Sequence, residues 1–348
     1  MEDQYNQYRL VKSYRDDKIL RESFCSLADR TFGIDFEEWY QKGYWKDDYN
    51  PYSIVYNGKV VASVSVNLMP YRLEGVCKSA DKDKSKSGKQ MGTDLRDQMQ
   101  SRNYIQLGTV MTDPEYRRKG LIRRIMMEIW KDYDGKTDGY FLFANDSVLD
   151  FYPKFGFRRA KEFQYEKALN CTGACSVKSV SMDGKGDWDF MEAVIAESVP
   201  NSAFYMKGNV GLTMFYLAGP MRDSVYYVPG EDAYVVAERE GDTLILDEIY
   251  ANHAVNPDKI GKAFGTVGKM RLGFTPLDKE KYEKCIRREE DTTLFFRGID
   301  CEEFERAEMM YNMWSKSYHF RPDTGNWVRQ RREILQTGEE EENGYRYD

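Results

Sequence analysis

Hydrophobic residues recur along this chain with two periods, one typical of helices and the other of strands. Residues 16–31 carry apolar side chains on one helical face, namely Ile19, Leu20, Phe24 and Leu27. The runs at 52–58 and 59–73 are apolar and β-branched, as strands are, and Asn57-Gly58 between them predicts a tight hairpin turn. The first half also contains predicted strands at 104–112, 138–145 and 163–169, a helix at 121–133 and a short helix at 147–155.

A polar segment at residues 78–102 interrupts this pattern. It is rich in Lys, Asp and Ser and almost free of large apolar residues. Such a segment cannot bury enough surface to offset the entropy of ordering it. We therefore predict a mobile insertion between two strands.

The second half repeats the order of elements of the first half, with little sequence identity. The turn of its hairpin is predicted at Pro229-Gly230, and Asn256 with Pro257 marks a helix start. Its predicted elements are a helix at 188–197, a hairpin at 224–240, a strand at 242–251, a helix at 256–265, a strand at 269–276, a helix at 277–286 and a strand at 292–298. We interpret this half as a diverged duplicate of the first.

Together these patterns predict an α/β (α+β) protein with two related domains. Each domain is expected to be a mixed, mostly antiparallel sheet flanked by helices, with a parallel crossover through the helix at 121–133 in the first. A length of 348 residues is consistent with two domains. The expected boundaries are residues 1–170, residues 176–300, and a C-terminal helix with an acidic tail at 301–348.

Composition narrows the functional classes. The chain has 51 Lys and Arg against 58 Asp and Glu, a formal net charge of −7, which argues against general nucleic-acid binding and mildly favours cationic small molecules. The N-terminus lacks the apolar core of a signal peptide, and no apolar run approaches the roughly 20 residues of a membrane span. Six sparse cysteines and two histidines without ligand spacing predict a cytoplasmic protein with reduced thiols and no metal site.

The most informative segment is a basic turn, DPEYRRKGLI, between a predicted strand and the helix at 121–133. Arg117, Arg118 and Lys119 stand there directly before Gly120. The first amides of a helix have no internal partner and that end is positive, so three cations are unfavourable unless an anion binds. This predicts a phosphate or pyrophosphate site, where glycine lets the backbone approach the oxygens. The alternative is an ordinary solvated basic turn.

This turn resembles the acetyl-CoA pyrophosphate loop of the GNAT acetyltransferases, Gln/Arg-x-x-Gly-x-Gly/Ala after Pro-Glu-Tyr. Arg117 and Gly120 match, whereas Ile122 replaces the final Gly or Ala, as in the Eis-like branch. The segment NDSVLDFYPKFGF resembles the later motif of the same family through Asn145, Tyr152 and the Gly-Phe that follows. The resemblance implies two GNAT-like domains, the second degenerate.

The resemblance also implies an acetyl-CoA-dependent N-acetyltransferase that acts on a primary amine of a small molecule or peptide, without a metal. Tyr152 would protonate the departing thiolate. The residues implied in acetyl-CoA binding are Val110, Met111, Thr112, Arg117, Arg118, Lys119, Gly120, Leu121, Ile122 and Asn145. The alternatives are a packing role for Tyr152 and a helix N-cap role for Asn145.

The acceptor side carries weaker signals. Gln106 stands where many relatives have a carboxylate, so water or another carboxylate is left as the base. The segment 32–45 offers acids and aromatics that either cage an ammonium group or form core, namely Asp35, Glu37, Glu38, Trp39, Tyr40, Tyr44 and Trp45. A non-catalytic acyl-CoA-binding or regulatory protein and an interaction scaffold remain as rival functions, and homo-oligomerisation is left open.

The second half lacks an Arg-x-x-Gly turn at the corresponding position. The nearest approach, Lys259–Lys262 around Gly261, lies inside a predicted helix. We therefore predict that this half does not bind coenzyme A. Its expected role is to cover the edge of the first sheet or to shape the acceptor cleft.

Overall fold

The protein folds into two mixed sheets with flanking helices. The structure, a computed structural model, describes residues 7–73, 100–287, 291–310, 318–321 and 326–329. The helices are α1 (Lys18–Phe32), α2 (Glu37–Gln41), α3 (Leu121–Tyr133), α4 (Lys185–Glu197), α5 (Val210–Ala218), α6 (Pro257–Ala263) and α7 (Cys301–Arg306). The strands are β1 (Arg9–Val11), β2 (Tyr49–Tyr56), β3 (Lys59–Leu73), β4 (Gln100–Thr112), β5 (Gly139–Ala144), β6 (Arg158–Arg159), β7 (Phe163–Cys171), β8 (Lys178–Ser179), β9 (Phe204–Met206), β10 (Val225–Val228), β11 (Ala233–Glu240), β12 (Thr243–Tyr250), β13 (Val267–Leu272), β14 (Glu283–Ile286), β15 (Thr293–Arg297), β16 (Tyr318–Arg321) and β17 (Asn326–Arg329). The predicted α/β class, with mixed sheets flanked by helices, is confirmed.

The first sheet has the order β1-β2-β3-β4-β5-β15-β6, and β9 also pairs with β3. Among its described strands, β4 and β5 form the one parallel pair, and α3 makes the predicted crossover between them. The hairpin between β2 and β3 turns at Asn57 and Gly58, with φ of 48° and 76°. Two consecutive left-handed residues are typical of the turn that matches strand twist, so the predicted hairpin is confirmed.

The second sheet has the order β14-β7-β13-β12-β11-β10-β8. Its described strands also include one parallel pair, β12 and β13, which α6 connects. The two sheets therefore share one plan, in which a parallel pair near the middle is followed by antiparallel strands. A separate hairpin, β16 with β17, lies in the C-terminal segment, where the sequence predicted only a helix and a tail.

The two sheets exchange strands between the halves of the chain. The predicted strand at 163–169 is present as β7, but it lies in the second sheet, between β13 and β14. The first sheet receives β15 in return, between β5 and β6. The expectation that 163–169 completes the first sheet was wrong, because periodicity identifies a strand without identifying its partners. We therefore propose the boundary at residues 170–176 only as a division of the sequence into two halves, because each sheet contains a strand from the other half.

Several other elements differ from the sequence prediction. Residues 277–286, predicted as a helix, form a 3₁₀ turn at Lys279–Lys281 followed by β14, whose side chains are all exposed. Strand pairing with β7 therefore overrides the local helical pattern. The helix α5 was missed because its residues are apolar on nearly every side and show no period. The predicted helix at 147–155 is two 3₁₀ turns, at Asp146–Val148 and Tyr152–Phe155.

Some predictions fall on parts of the chain outside the description. The predicted insertion at 78–102 lies outside the described residues up to 99, and its last three residues belong to β4. The acidic tail at 339–342 lies outside them entirely. Within the described ranges, no helix is long and apolar enough to cross a bilayer. The described cysteines, Cys25, Cys171, Cys175, Cys285 and Cys301, are free thiols.

Helices on the two faces of the first sheet build separate cores. On one face α3 buries Leu121, Ile125 and Ile129 against the sheet, as the helical period predicts. On the other face α1 buries Phe24 within an aromatic cluster. The helical period placed Ile19 on the buried face of α1, but its side chain is 72% exposed.

Candidate active site

The first sheet opens between its parallel strands. The strands β4 and β5 pair from Tyr104 and Gly139 as far as Gln106 and Phe141, and their described residues do not pair beyond that point. β4 continues to Thr112, while β5 turns its other edge to β15. One edge of β4 therefore faces an opening with backbone groups that an extended ligand can pair.

A β-bulge deforms β4 inside this opening. Ser65 pairs with Gly108 and Ser63 pairs with Met111, so Val64 alone faces both Thr109 and Val110. Thr109 has φ of 41°, a left-handed conformation that β-branched residues rarely adopt. A bulge leaves its extra residue unpaired, and this one lies directly before the predicted contacts at 110–112.

The basic turn lies at the mouth of the opening. Asp113 caps the 3₁₀ turn Pro114–Tyr116 through the amide of Glu115, and the chain then turns left-handed at Arg118 and Gly120, with φ of 62° and 72°. The left-handed Gly120 confirms the special dihedral predicted for it. Residues 118–120 donate no backbone hydrogen bond to any described residue. Free amides at the start of α3 are suited to anion oxygens.

The cations of the turn are exposed and weakly engaged. Arg117 reaches only the carbonyl oxygen of Thr112, at 3.4 Å, and Arg118 makes no contact within the described structure. Lys119 lies over the ring of Tyr116, 4.7 Å from its centroid. Arg123 and Arg124, which the sequence prediction omitted, line a groove of about 670 Å³ that starts at Gly120. The charge at this end of α3 is therefore larger than the turn alone provides.

Tyr152 begins the 3₁₀ turn Tyr152–Phe155, which follows β5 in the chain, and its environment is mainly apolar. It is buried, and the rings of Phe151, Phe157 and Phe295 lie 5.3, 6.1 and 5.9 Å from its own. Its hydroxyl has no hydrogen-bond partner among the described residues. Burial raises the pKa of Tyr152 to about 12, so the phenol is neutral at physiological pH. The ring of Tyr152 therefore packs in the core while its hydroxyl stays without a partner in the described structure.

Asn145 is exposed at the end of β5 and is held by the second half of the chain. Its Nδ2 donates to Asp291 at 2.7 Å, and the other oxygen of Asp291 accepts from the amide of Asp146 at 2.6 Å. Its side chain makes no N-cap hydrogen bond. This arrangement leaves Oδ1 of Asn145 available as an acceptor.

The aromatic residues on the acceptor side are mostly core. Trp39, Tyr44 and Trp45 are buried, and Tyr40 covers the guanidinium of Arg21 at 3.7 Å. The cation that this aromatic group holds is therefore part of the chain itself, which favours the core interpretation over an ammonium cage. The predicted acids are also engaged, since Glu37 binds Arg21 and Glu38 binds Lys42.

A cleft nevertheless runs along this side, between the two halves. It has a volume of about 640 Å³, and α5 contributes Phe215 to it. Its acidic lining residues are Asp29, Asp35, Glu38, Asp183 and Asp223. Trp39, also in the wall, packs 5.3 Å from Tyr49, whose hydroxyl lies 3.3 Å from Oγ1 of Thr109. One layer of rings thus separates the cleft from the bulge.

Three consecutive register partners carry polar groups on the acceptor face of the sheet. Tyr49 pairs with Asn67, and Asn67 pairs with Gln106, so their side chains share a face. Asn67 is buried beside Gly108, and its Oδ1 has no partner in the described structure. A buried acceptor of this kind requires a water or a ligand.

The corresponding opening in the second sheet is filled by the chain itself. The amide of Val199 donates to Ala251, directly after β12, and the amide of Ala203 donates to Thr275, beyond β13. Ser202 forms a bridge with Pro276, and Asn201 accepts from the amide of Val255. Residues 199–203 thus span the space that remains open in the first sheet. This is a physical reason for the prediction that the second half does not bind coenzyme A.

Sequence reasoning missed Tyr49, Ser65 and Thr109, which meet beneath the opening. The signal present was the alternation of Ser63, Ser65 and Asn67 along an otherwise apolar strand whose two faces are both buried. Nothing in the sequence identifies their partners. No group of His, Cys, Asp and Glu side chains in the described ranges has the arrangement of a metal site.

One family model matches part of the first half of the chain. Residues 18–157 match the family model described as the acetyltransferase (GNAT) family. The match begins at α1 and ends at the Gly-Phe after Tyr152, so it includes the bulge and the basic turn. No curated protein shows significant similarity to the chain.

The solved structures that match the chain share little sequence identity with it. A probable N-acyltransferase from Enterococcus faecalis V583 is 17% identical, with a TM-score of 0.49 over 85% of this chain and 74% of that one. A GCN5-related N-acetyltransferase from Kribbella flavida is 12% identical, with a TM-score of 0.47 over 84% and 71%. Eis1 from Mycobacterium abscessus is 11% identical, with a TM-score of 0.45 over 94% and 86%.

Proposed function

We propose that this chain, which contains a GNAT acetyltransferase domain, transfers an acetyl group from acetyl-CoA to a primary amine. The observation that carries the proposal is the opening between β4 and β5, whose mouth is a cationic turn with free backbone amides. A pyrophosphate suits the turn, and an extended pantetheine arm suits the unpaired edge of β4 at Val110, Met111 and Thr112.

The reaction requires three functions, and the chain offers groups for two of them. The amine nitrogen attacks the thioester carbonyl carbon, so a C–N bond forms while the C–S bond breaks. A backbone amide at the bulge stabilises the charge that develops on the carbonyl oxygen. Tyr152, neutral because of its raised pKa, gives its proton to the departing thiolate.

The third function is removal of the amine proton, and the acceptor face of β4 carries no carboxylate that could perform it. Gln106 occupies that face, and the unpartnered Oδ1 of Asn67 lies beside it. Both are hydrogen-bond acceptors that can orient an amine without ionising. We propose that water receives the proton and that the acidic cleft attracts the cationic acceptor.

Calorimetric titration of acetyl-CoA into the full-length protein tests the binding part. We expect one site per chain, with an affinity that falls as salt increases because exposed cations bind the phosphates. Two sites per chain would contradict the filled opening of the second sheet. Absence of binding would overturn the proposal.

Release of the coenzyme A thiol, with spermidine or a peptide with a free N-terminus as acceptor, tests the chemistry. Amine-dependent thiol release and a product heavier by one acetyl group support transfer. Binding without release for every amine tested would favour a non-catalytic acyl-CoA-binding protein, which the apolar burial of Tyr152 also fits.

A further inference from the structure

Three hydroxyls meet at the bulge in β4, those of the buried Tyr49 and Ser65 and that of the half-buried Thr109. Oγ of Ser65 donates to the hydroxyl of Tyr49 at 2.9 Å, and the hydroxyls of Tyr49 and Thr109 lie 3.3 Å apart. The hydroxyls of Ser65 and Thr109 are also in direct contact. Tyr49 and Ser65 are buried, one on β2 and the other on β3, so neighbouring strands hold the bulged residue of β4.

The backbone conformation of Thr109 is unfavourable by itself. Thr109 has φ of 41°, and a β-branched side chain in that region crowds its own backbone. Such residues persist only where their surroundings enforce the conformation. Here the contacts that enforce it are the two hydroxyls that bind Oγ1 of Thr109.

We propose that Tyr49, Ser65 and Thr109 form a hydroxyl clamp that fixes the bulge and so positions the backbone amide that polarises the thioester carbonyl. The inference rests on the proposed acetyl transfer, and it assigns positioning roles to three residues outside the implied cofactor-binding set. A donor increases the rate only if it already points at the position of the developing oxyanion. A bulge that relaxes into the ladder would withdraw that donor.

The geometry argues for positioning over proton transfer. Because Ser65 donates to Tyr49, a closed ring has Tyr49 donating to Thr109 and Thr109 donating to Ser65. Each of the three hydroxyl protons is then donated to another member of the ring, and none is left for a substrate. Burial raises the pKa of Tyr49, which keeps this phenol neutral.

The infrared band of the carbonyl in bound [1-¹³C]acetyl-CoA measures this polarisation directly and needs no acceptor. In the natural protein we expect the band at lower wavenumber than in free acetyl-CoA. Thr109→Val removes the hydroxyl but keeps the β-branch, so the bulge should relax and the band should return toward its free position. Coenzyme A lacks the thioester carbonyl, so titration with coenzyme A measures separately any displacement of the pantetheine-pairing edge at 110–112.

Thr109→Gly separates positioning from hydroxyl chemistry. Glycine also lacks the hydroxyl, yet it adopts positive φ without strain. We expect Thr109→Gly to keep more of the carbonyl shift than Thr109→Val. An equal loss in both variants would overturn the clamp, because the hydroxyl itself would then be required.

Tyr49→Phe and Ser65→Ala provide second variants if a change at Thr109 prevents folding, and each should reduce the carbonyl shift. Tyr165→Phe is the matched control, because Tyr165 is a buried tyrosine on β7 of the second sheet, where its hydroxyl donates to the carbonyl oxygen of Glu308 at 2.8 Å. It should leave the band unchanged.

Two further outcomes distinguish a failure of the hydroxyl clamp from a failure of the proposed acetyl transfer. An unchanged band in folded Tyr49→Phe and Ser65→Ala would overturn the clamp while leaving acetyl-CoA binding intact. Failure of the natural protein to bind acetyl-CoA would instead overturn the proposed function and this inference with it.

Discussion

Individual residues in the candidate site combine a structural role with a chemical one. Tyr152 fills space among three phenyl rings, and its hydroxyl lacks a partner among the described residues. Thr109 holds an unfavourable φ, and Gly120 takes a left-handed conformation with nothing nearby. The packing and motif interpretations of Tyr152 are therefore compatible, and only substitution separates them.

Replacing Tyr152 by phenylalanine should reduce kcat about 100-fold, because the thiolate loses its general acid. The dissociation constant for acetyl-CoA should not change. Stability should fall by less than about 1 kcal/mol, because no hydrogen bond within the described structure is lost. Tyr140→Phe is the control, since it removes a bond to Asp134 and should cost stability without affecting kcat.

The pH dependence of kcat gives a second check on Tyr152. The acid acts in its protonated form, and its pKa is raised to about 12, so its contribution is lost only as pH rises through that value. We expect kcat to show no decrease attributable to Tyr152 up to about pH 10. A basic limb near pH 8 that Tyr152→Phe abolishes would contradict the buried environment.

Replacing Gly120 by alanine should cost about 1 kcal/mol of stability and weaken acetyl-CoA binding, because φ of 72° strains any residue with a Cβ. Gly230→Ala is the control, since that glycine also has open space around it and does not have a positive φ. Thermal unfolding and calorimetric titration measure the two effects. Equal effects at both glycines would contradict a conformational cause.

At the scale of elements, the turn and α3 act as one unit. The helix buries its apolar face in the sheet core, which fixes its N-terminus at the mouth of the opening between β4 and β5. The cations therefore need no partners from the described protein to be held in place. Their exposure is consistent with a ligand that arrives from solvent.

The double substitution of Arg117 and Arg118 by alanine should weaken acetyl-CoA binding about tenfold at low salt and less at high salt. Replacing Lys136, beyond the far end of α3, and Lys178, on β8 of the second sheet, by alanine removes the same charge away from the turn and is the control. Calorimetric titration at two salt concentrations measures both. Equal weakening by the two double variants would indicate a general effect of net charge.

At the scale of the whole molecule, strand exchange makes the halves interdependent. The first sheet contains β15, whose Phe295 and Phe296 are buried, and the second sheet contains β7. The second half also contacts the site through Asp291 and through α5, which packs Phe215 on Phe36 at 5.3 Å. These contacts support the expectation that the second half shapes the acceptor side.

A fragment of residues 1–170 should therefore fail to fold stably or bind acetyl-CoA, because β5 and β6 lose the strand between them. A protease site inserted in the exposed loop at 172–176 is the control. After cleavage the halves should remain associated, because the exchanged strands hold them. Circular dichroism and titration compare the two preparations, and a folded, binding fragment would contradict the exchange.

The sequence by itself determined the local features of this protein. Helical periodicity predicted α1 and α3, and Asn57-Gly58 predicted the hairpin, because these signals lie within a few neighbouring residues. The anion site that the basic turn indicates stays a prediction. The absence of a second basic turn predicts a second half without coenzyme A, and this also stays a prediction.

Only the tertiary structure decided which distant residues meet. The exchange of β7 and β15, the filling of the second opening by residues 199–203, and the meeting of Tyr49 and Ser65 with Thr109 all depend on strand order and register. An apolar strand fits many neighbours equally well, so its pattern specifies a face and not a partner. Strain at Thr109 likewise arises from the bulge that register imposes on β4.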